Sequence, residues 1–156
     1  MSFVLQTSIA LPTREELLAL LPDLLEASGA LVPRDPATPL FVYEHVSPAW
    51  SNVDFEPELD AFSELDRAYV ERQIERTHRD DLLGRAWSAE HLEGIPLAGP
   101  SLFDDETSWE VLLLEVPVLT VDRTDAVLRG QRQSPHDAED FEHHLVKEDG
   151  RWTRRS

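Results

Sequence analysis

Apolar and polar positions alternate most regularly in the last third of the chain. Trp109-Glu-Val-Leu-Leu-Leu-Glu-Val-Pro-Val-Leu-Thr-Val121 is the longest largely apolar stretch. Strand alternation puts Leu112, Leu114, Val116 and Val118 on one side and Val111, Leu113 and Glu115 on the other, the first set being the core face. Pro117 cannot donate a ladder hydrogen bond, so the strand there is at an edge, bulged or broken in two. A polar break, Asp122–Asp125, precedes Ala126-Val-Leu-Arg-Gly-Gln131. A Pro-containing loop then leads to Phe141-Glu-His-His-Leu-Val146. Asp149-Gly150 signals a tight hairpin turn into Arg151–Arg155. In a two-residue turn Lys147 faces Trp152 and Leu145 faces Arg154, so Phe141, His143, Leu145 and Trp152 share one surface.

The first half carries helical periodicity. Thr13 and Glu16 have the spacing of a capping box. Leu17, Leu18, Leu20, Leu21, Leu24 and Leu25 follow as a broad apolar stripe, and Gly29 is a stop. Pro22 lies inside the stripe and predicts either a kink or a second short helix with Pro22 in its first turn. Residues 33–39 hold three prolines and read as loop. Leu40–Val46 is rich in strand formers. A second helix is predicted from Ser63, with Asp66 at the capping-box spacing. Leu65, Tyr69, Val70 and Ile74 form its apolar side, and mixed charges form the other. Residues 88–108, with Gly94, Pro96, Gly99 and Pro100, predict a long connection with little regular structure. Helices grouped early and strands grouped late imply a single α+β domain over 1–156, its N-terminal helices packed on one face of a mainly antiparallel sheet dominated by the C-terminal β-meander.

Composition narrows the function classes. The absence of cysteine removes disulfides, thiolate metal sites and cysteine nucleophiles. No apolar run approaches the ~20 residues that span a bilayer. The N-terminal residues lack the basic leader of a secretory signal, so the expected location is cytoplasmic. With 31 acids against 14 bases, the net charge is −17. Such a charge opposes phosphate backbones and anionic lipid, so neither direct nucleic-acid binding nor membrane binding is expected. It favours a basic protein partner. An ordinary solvated acidic surface accounts for the same composition.

Two constellations invite chemistry. Tyr43, His45, Trp50 and Tyr69 with Asp66 suggest a pocket at a strand–helix seam, with a His–Asp pair as general base. Aromatic rings more often simply pack as core and cap residues, and Asp66 also reads as a helix-start residue. The stretch His136, Asp137, Asp140, Glu142, His143, His144 offers metal-binding side chains. Adjacent strand residues point to opposite faces, however, so His143 and His144 do not readily share an ion, and no metal is expected. Nucleotide-binding, P-loop, hydrolase-elbow, zincin and EF-hand motifs are all missing, and no cofactor is implied.

The segment Val116-Pro-Val-Leu-Thr-Val-Asp122, then Ala126-Val-Leu, then a strand closed by Asp149-Gly-Arg-Trp152 resembles the C-terminal meander of certain uncharacterised bacterial α+β proteins. Their pattern is "PVF-x-x-D … A-x-V … DGKW", often with a helix like Asp66-Arg-Ala-Tyr-Val-Glu-Arg-Gln73 upstream. The ending is also similar to cystatin-like rolls of the ketosteroid-isomerase type. The first resemblance implies no function, and the second implies enzymes, binders and subunits alike. The leading expectation is an acidic cytoplasmic binding or interaction protein without a catalytic constellation. The alternatives are a small-molecule-binding or isomerase-like roll using His45 or His143, and an immunity or nucleic-acid-mimic inhibitor. The pocket candidates are Tyr43, His45, Tyr69 and His143. Oligomeric state is not legible.

Overall fold

The computed structural model describes residues 9–46, 60, 62–79, 96–104 and 109–155. Their elements are α1 (Arg14–Ser28), β1 (Leu40–Tyr43), α2 (Glu64–Arg79), β2 (Leu97–Ala98), a 3-10 turn (Pro100–Asp104), β3 (Glu110–Leu114), β4 (Val118–Leu119), β5 (Asp125–Ser134), β6 (Asp137–Glu148) and β7 (Arg151–Arg154). The strands form one sheet in the order β2-β1-β3-β5-β6-β7, with β4 also paired to β5. β1 is parallel to β2 and β3, and the remaining pairs are antiparallel. The fold class is therefore α+β, with the expected meander β5-β6-β7 at its C-terminal end.

Helix α1 begins where the sequence predicts. Thr13 caps it by accepting a hydrogen bond from the Glu16 N–H at 3.1 Å, and Gly29 ends it in the left-handed conformation. The helix runs unbroken through Pro22, so neither a second helix nor a new start occurs there. Burial decides this. Leu17, Leu18, Leu21, Leu24 and Leu25 are at most 1% exposed. Each such leucine contributes roughly 1.5–3 kcal/mol, against roughly 3 kcal/mol for one interior proline. These leucines pack on the sheet face formed by Val42, Leu112, Leu114, Ala126, Leu128 and Leu145, the main core.

Pro117 splits the long apolar segment into β3 and β4, and both halves hydrogen-bond to β5. Its expected core face, Leu112, Leu114, Val116 and Val118, is buried in the main cluster. The other side is not solvent-facing throughout. Val111 packs with Trp109 and Ala98 in a second cluster, joined by Phe41, Tyr43 and Leu102.

Three expectations are corrected. Residues 132–134 and 137–140 are strand, not loop: β5 and β6 pair as far as Ser134↔Asp137, and only Pro135-His136 remain as the turn. A proline that presets φ suits such a turn as well as it suits a long loop. Within 88–108, the described residues include β2 and the 3-10 turn. On α2, Leu65 is 38% exposed, whereas Tyr69, Val70, Gln73 and Thr77 are buried. The reason is that α2 meets β4 through polar groups: the Gln73 side-chain amide donates to the Leu119 carbonyl at 2.6 Å and accepts from the Leu119 N–H at 2.9 Å.

The Asp149-Gly150 hairpin has the predicted register, Lys147↔Trp152 and Leu145↔Arg154. Both turn residues have positive φ, 52° and 77°, as a tight hairpin turn of that kind requires. A different glycine is fixed by space. A Cβ at Gly130 would lie 2.5 Å from the Leu113 carbonyl oxygen and 2.8 Å from the Phe141 ring. Gly130→Ala is therefore expected to destabilise the fold by about 1–3 kcal/mol through overpacking. Urea denaturation reads this directly, and an unchanged midpoint would show that the β3–β5–β6 contact is looser than described.

Candidate functional site

The residues after α1 form a strap over the start of the β5–β6 ribbon. Arg132 on β5 donates to the Ala30 carbonyl at 2.7 Å and lies 3.4 Å from the Glu110 carboxylate. The other Glu110 oxygen accepts from the Arg34 backbone N–H at 2.9 Å. The Arg34 guanidinium reaches over to Asp137, at 3.0 Å, and to Glu139 on β6. Glu110 and Arg132 are thus a buried, hydrogen-bonded pair that ties the strap to the sheet. Such pairs tolerate burial only when each charge keeps a partner.

A cleft opens at each end of this strap. One, of about 250 Å³, is lined by Arg34, Asp35, Trp109, Glu110, Arg132 and His136. The other, of about 230 Å³, is lined by Ser28, Gly29, Arg132, Glu139, His143 and Arg154 among others. In the second cleft the His143 ring stacks on Phe141 with centroids 5.2 Å apart, and its Nδ1 is buried with no hydrogen-bond partner. Burial, reinforced by the nearby Arg154 and Arg132 charges and by His144, pushes the His143 pKa below its ordinary value.

A third feature is the outer edge of the ribbon. β6 spans Asp137–Glu148, but β7 pairs only with its Leu145–Glu148 end. The Arg155 N–H adds one bond, to the His144 carbonyl. No described strand pairs with the outer side of residues 137–143. Ladder bonds alternate between neighbours, and His144 turns its carbonyl outward, so Asp140 and Glu142 also present backbone groups to that side. Residues 137–140 are exposed, and three of the four are acidic.

The four pocket candidates do not form one site: Tyr43 and His45 meet, while Tyr69 and His143 lie elsewhere. Tyr43 ends β1 and packs on Phe103 and His45, with centroids 5.6 and 5.5 Å away. His45 is 41% exposed and its Nε2 lies 3.4 Å from Glu44. Tyr69 is buried in α2, where its hydroxyl donates to the Ala10 carbonyl at 2.6 Å and accepts from Arg123 at 2.8 Å. Arg123 continues to Glu16 at 2.6 Å, so Tyr69 joins the two helices. Asp66 accepts from the Val121 N–H at 3.1 Å while its own N–H bonds the Ser63 hydroxyl, which makes it a helix-start residue rather than a partner of His45. Trp50 lies outside the described residues. Of the four candidates, His143 lines one of the two clefts described above.

His143 and His144 face opposite sides of the sheet. His144 stacks near Phe62, with centroids 6.0 Å apart, and its Nε2 lies 3.0 Å from Glu142. Beneath them is the largest fully buried side chain, Arg129, 1% exposed, with its Nε 3.4 Å from Glu142 Oε1. Among the described residues no group of three or more potential metal ligands converges. Sequence reasoning missed Glu110, Arg129 and Arg132. The usable signal was the register of the β5–β6 hairpin, which sets Arg129 opposite Glu142.

Comparisons with protein families, with curated proteins and with solved structures return no match to this chain. No helix among the described residues is long and apolar enough to cross a membrane.

Proposed function

We propose that the protein is a non-enzymatic interaction protein that captures a basic segment of a partner along the acidic outer edge of β6, which no described strand pairs. The observation that carries this reading is the length mismatch between β6 and β7, which leaves residues 137–143 without a described strand on their outer side. An extended peptide added there gains main-chain hydrogen bonds, and side-chain charge sets its selectivity. Asp137 and Glu139, which share the single cation Arg34, together with Asp140 leave a net negative charge along the edge. They repel the same edge of a second copy, since like charges opposed across strands are destabilising. An acidic edge also protects against aggregation. Protection and selective capture by charge are compatible. Exposed acids occur as well on α1 (Glu15, Glu26) and α2 (Glu64, Glu71, Glu75), so the edge is singled out by its open backbone and not by charge alone.

The test uses a synthetic peptide of alternating arginine and valine, titrated at low and high salt. Binding is expected at low salt and falls steeply as salt rises. Asp140→Pro removes an outward N–H without touching the β5 ladder and is expected to weaken binding at least about tenfold. Asp140→Asn, which keeps that N–H, loses much less. Equal loss from both variants would reduce the interaction to diffuse charge attraction and end the edge reading.

A second reading, a small-molecule or isomerase-like pocket, has one observation in its favour. His143 lines a cleft with the carboxylate-bearing Glu139. Glu139 is already paired with Arg34. A role as base partner to His143 then requires Arg34→Gln to raise any activity found, and a decrease would count against it.

A further inference from the structure

We infer that the cleft between the end of α1 and the β6–β7 strands is a binding site for a small oxyanion, a phosphate or carboxylate group. It does not rest on the β6-edge reading, although Glu139, Phe141 and His143 belong to both surfaces.

The chain has more than two acids for each base, 31 against 14, so cations at its surface find acidic partners easily. Arg34 holds Asp137 and Glu139, Arg132 holds Glu110, and Arg155 lies 3.4 Å from Asp125. Arg154 forms no ion pair among the described residues. It lies on the cleft wall with Arg132 and His143. The one carboxylate on that wall, Glu139, is engaged by Arg34. The cleft therefore has a cationic excess inside a strongly anionic protein.

The geometry suits a small anion. The volume of about 230 Å³ admits a compact group with its hydration and excludes a large ring system. Arg132 is held in place by Glu110 and by the Ala30 carbonyl, so part of the site is organised before a ligand arrives. A guanidinium fork matches the oxygen spacing of phosphate and carboxylate. Arg154, which forms no ion pair among the described residues, supplies the charge that meets the ligand.

His143 couples the site to pH. The charged groups facing it are Arg154 from β7 and Arg132 from β5, with His144 adjacent on its own strand; all act against its protonation, as burial does. Glu139 is the only acid on the same wall, and the α1 residues there, Ser28 and Gly29, carry no charge. A bound anion offsets Arg154 and Arg132 and offers the imidazolium an acceptor. The pKa of His143 then rises in the complex. By linkage, a proton bound more tightly with ligand means a ligand bound more tightly with proton, so affinity increases as pH falls.

The experiment is a titration of the full chain with inorganic phosphate and, separately, with sodium acetate, following the His143 ring protons by NMR. At least one probe is expected to saturate and to raise the His143 pKa. A rise of one unit makes binding about tenfold tighter below both pKa values than above them. Whichever probe binds more tightly identifies the phosphoryl or the carboxylate form of the ligand. Arg154→Gln, at an exposed position that leaves the fold intact, is expected to lower affinity at least about tenfold. Arg151→Gln on the same strand lies outside the cleft and is expected to leave affinity unchanged. If neither probe moves the His143 resonances, or if both arginine variants lose affinity equally, the site does not exist and only general attraction of anions to arginine remains.

Discussion

Replacing Gln73 with leucine is expected to destabilise the protein by about 2–5 kcal/mol, a large share of the stability of a chain this size. Leucine fills much of the same volume, so a cavity is not the cause. The cause is the fate of Leu119. Its N–H and C=O both bond the Gln73 side chain, at 2.9 and 2.6 Å, and Leu119 is wholly buried. In Gln73→Leu neither backbone group has a partner or access to water. Each orphaned group costs about 1–3 kcal/mol. Gln73 Nε2 also donates to the Tyr69 carbonyl at 3.3 Å, which holds its rotamer. The damage should stay local to β4 and α2. Hydrogen exchange is therefore expected to speed up for Leu119 before the β5–β6 amides, with the urea midpoint falling. A midpoint within experimental error of the unsubstituted protein would mean that Leu119 finds other partners.

Arg129→Ala is the second large effect. Arg129 is 1% exposed and Glu142 10%, and they sit opposite each other across β5 and β6. Removing one partner of a buried charge pair commonly costs about 3–5 kcal/mol, because the other charge is left uncompensated. Among the described residues, Glu142 then keeps His144, at 3.0 Å. The double variant Arg129→Leu with Glu142→Leu removes both charges and replaces them with apolar volume. It is expected to recover most of the loss, since a well-packed apolar pair often matches a buried ion pair. The four-member mutant cycle by urea denaturation gives the coupling energy. A double variant no better than Arg129→Ala would show that Arg129 is held by its packing stem rather than by its charge.

How much of this was legible in the sequence depends on whether a residue's partner is local. Thr13, Gly29, Ser63 and Asp149-Gly150 act on groups a few residues away, and each does what its spacing predicts. The apolar alternation of 112–118 is equally local, and its core face is the predicted one. Gln73 was invisible because its partner, Leu119, lies 46 residues along the chain. It occupies a helix position where a polar residue ordinarily faces water. Arg129 falls inside the predicted strand 126–131 and Arg132 in the loop predicted after it, and local spacing assigns neither a partner. Glu142 meets Arg129 through the β5–β6 register, which a loop over 132–140 hides, and Glu110 meets Arg132 through the β3–β5 pairing. The candidate site was partly legible. His143 was named, but the arginines that define its cleft were not. Tyr69 was named for its ring, whereas its hydroxyl and Arg123 make it a brace between the helices.

The functional account rests on the outer edge of β6 accepting a basic strand, and amide NMR tests that most directly. An arginine–valine peptide is added to labelled protein at low salt, and shifts are mapped by residue. The account predicts that the largest changes fall on residues 137–143, with slowed exchange of the Asp140 and Glu142 amides as new main-chain bonds form. Shifts spread evenly over the acids of α1, α2 and the hairpin tips, with no protection along β6, would contradict it.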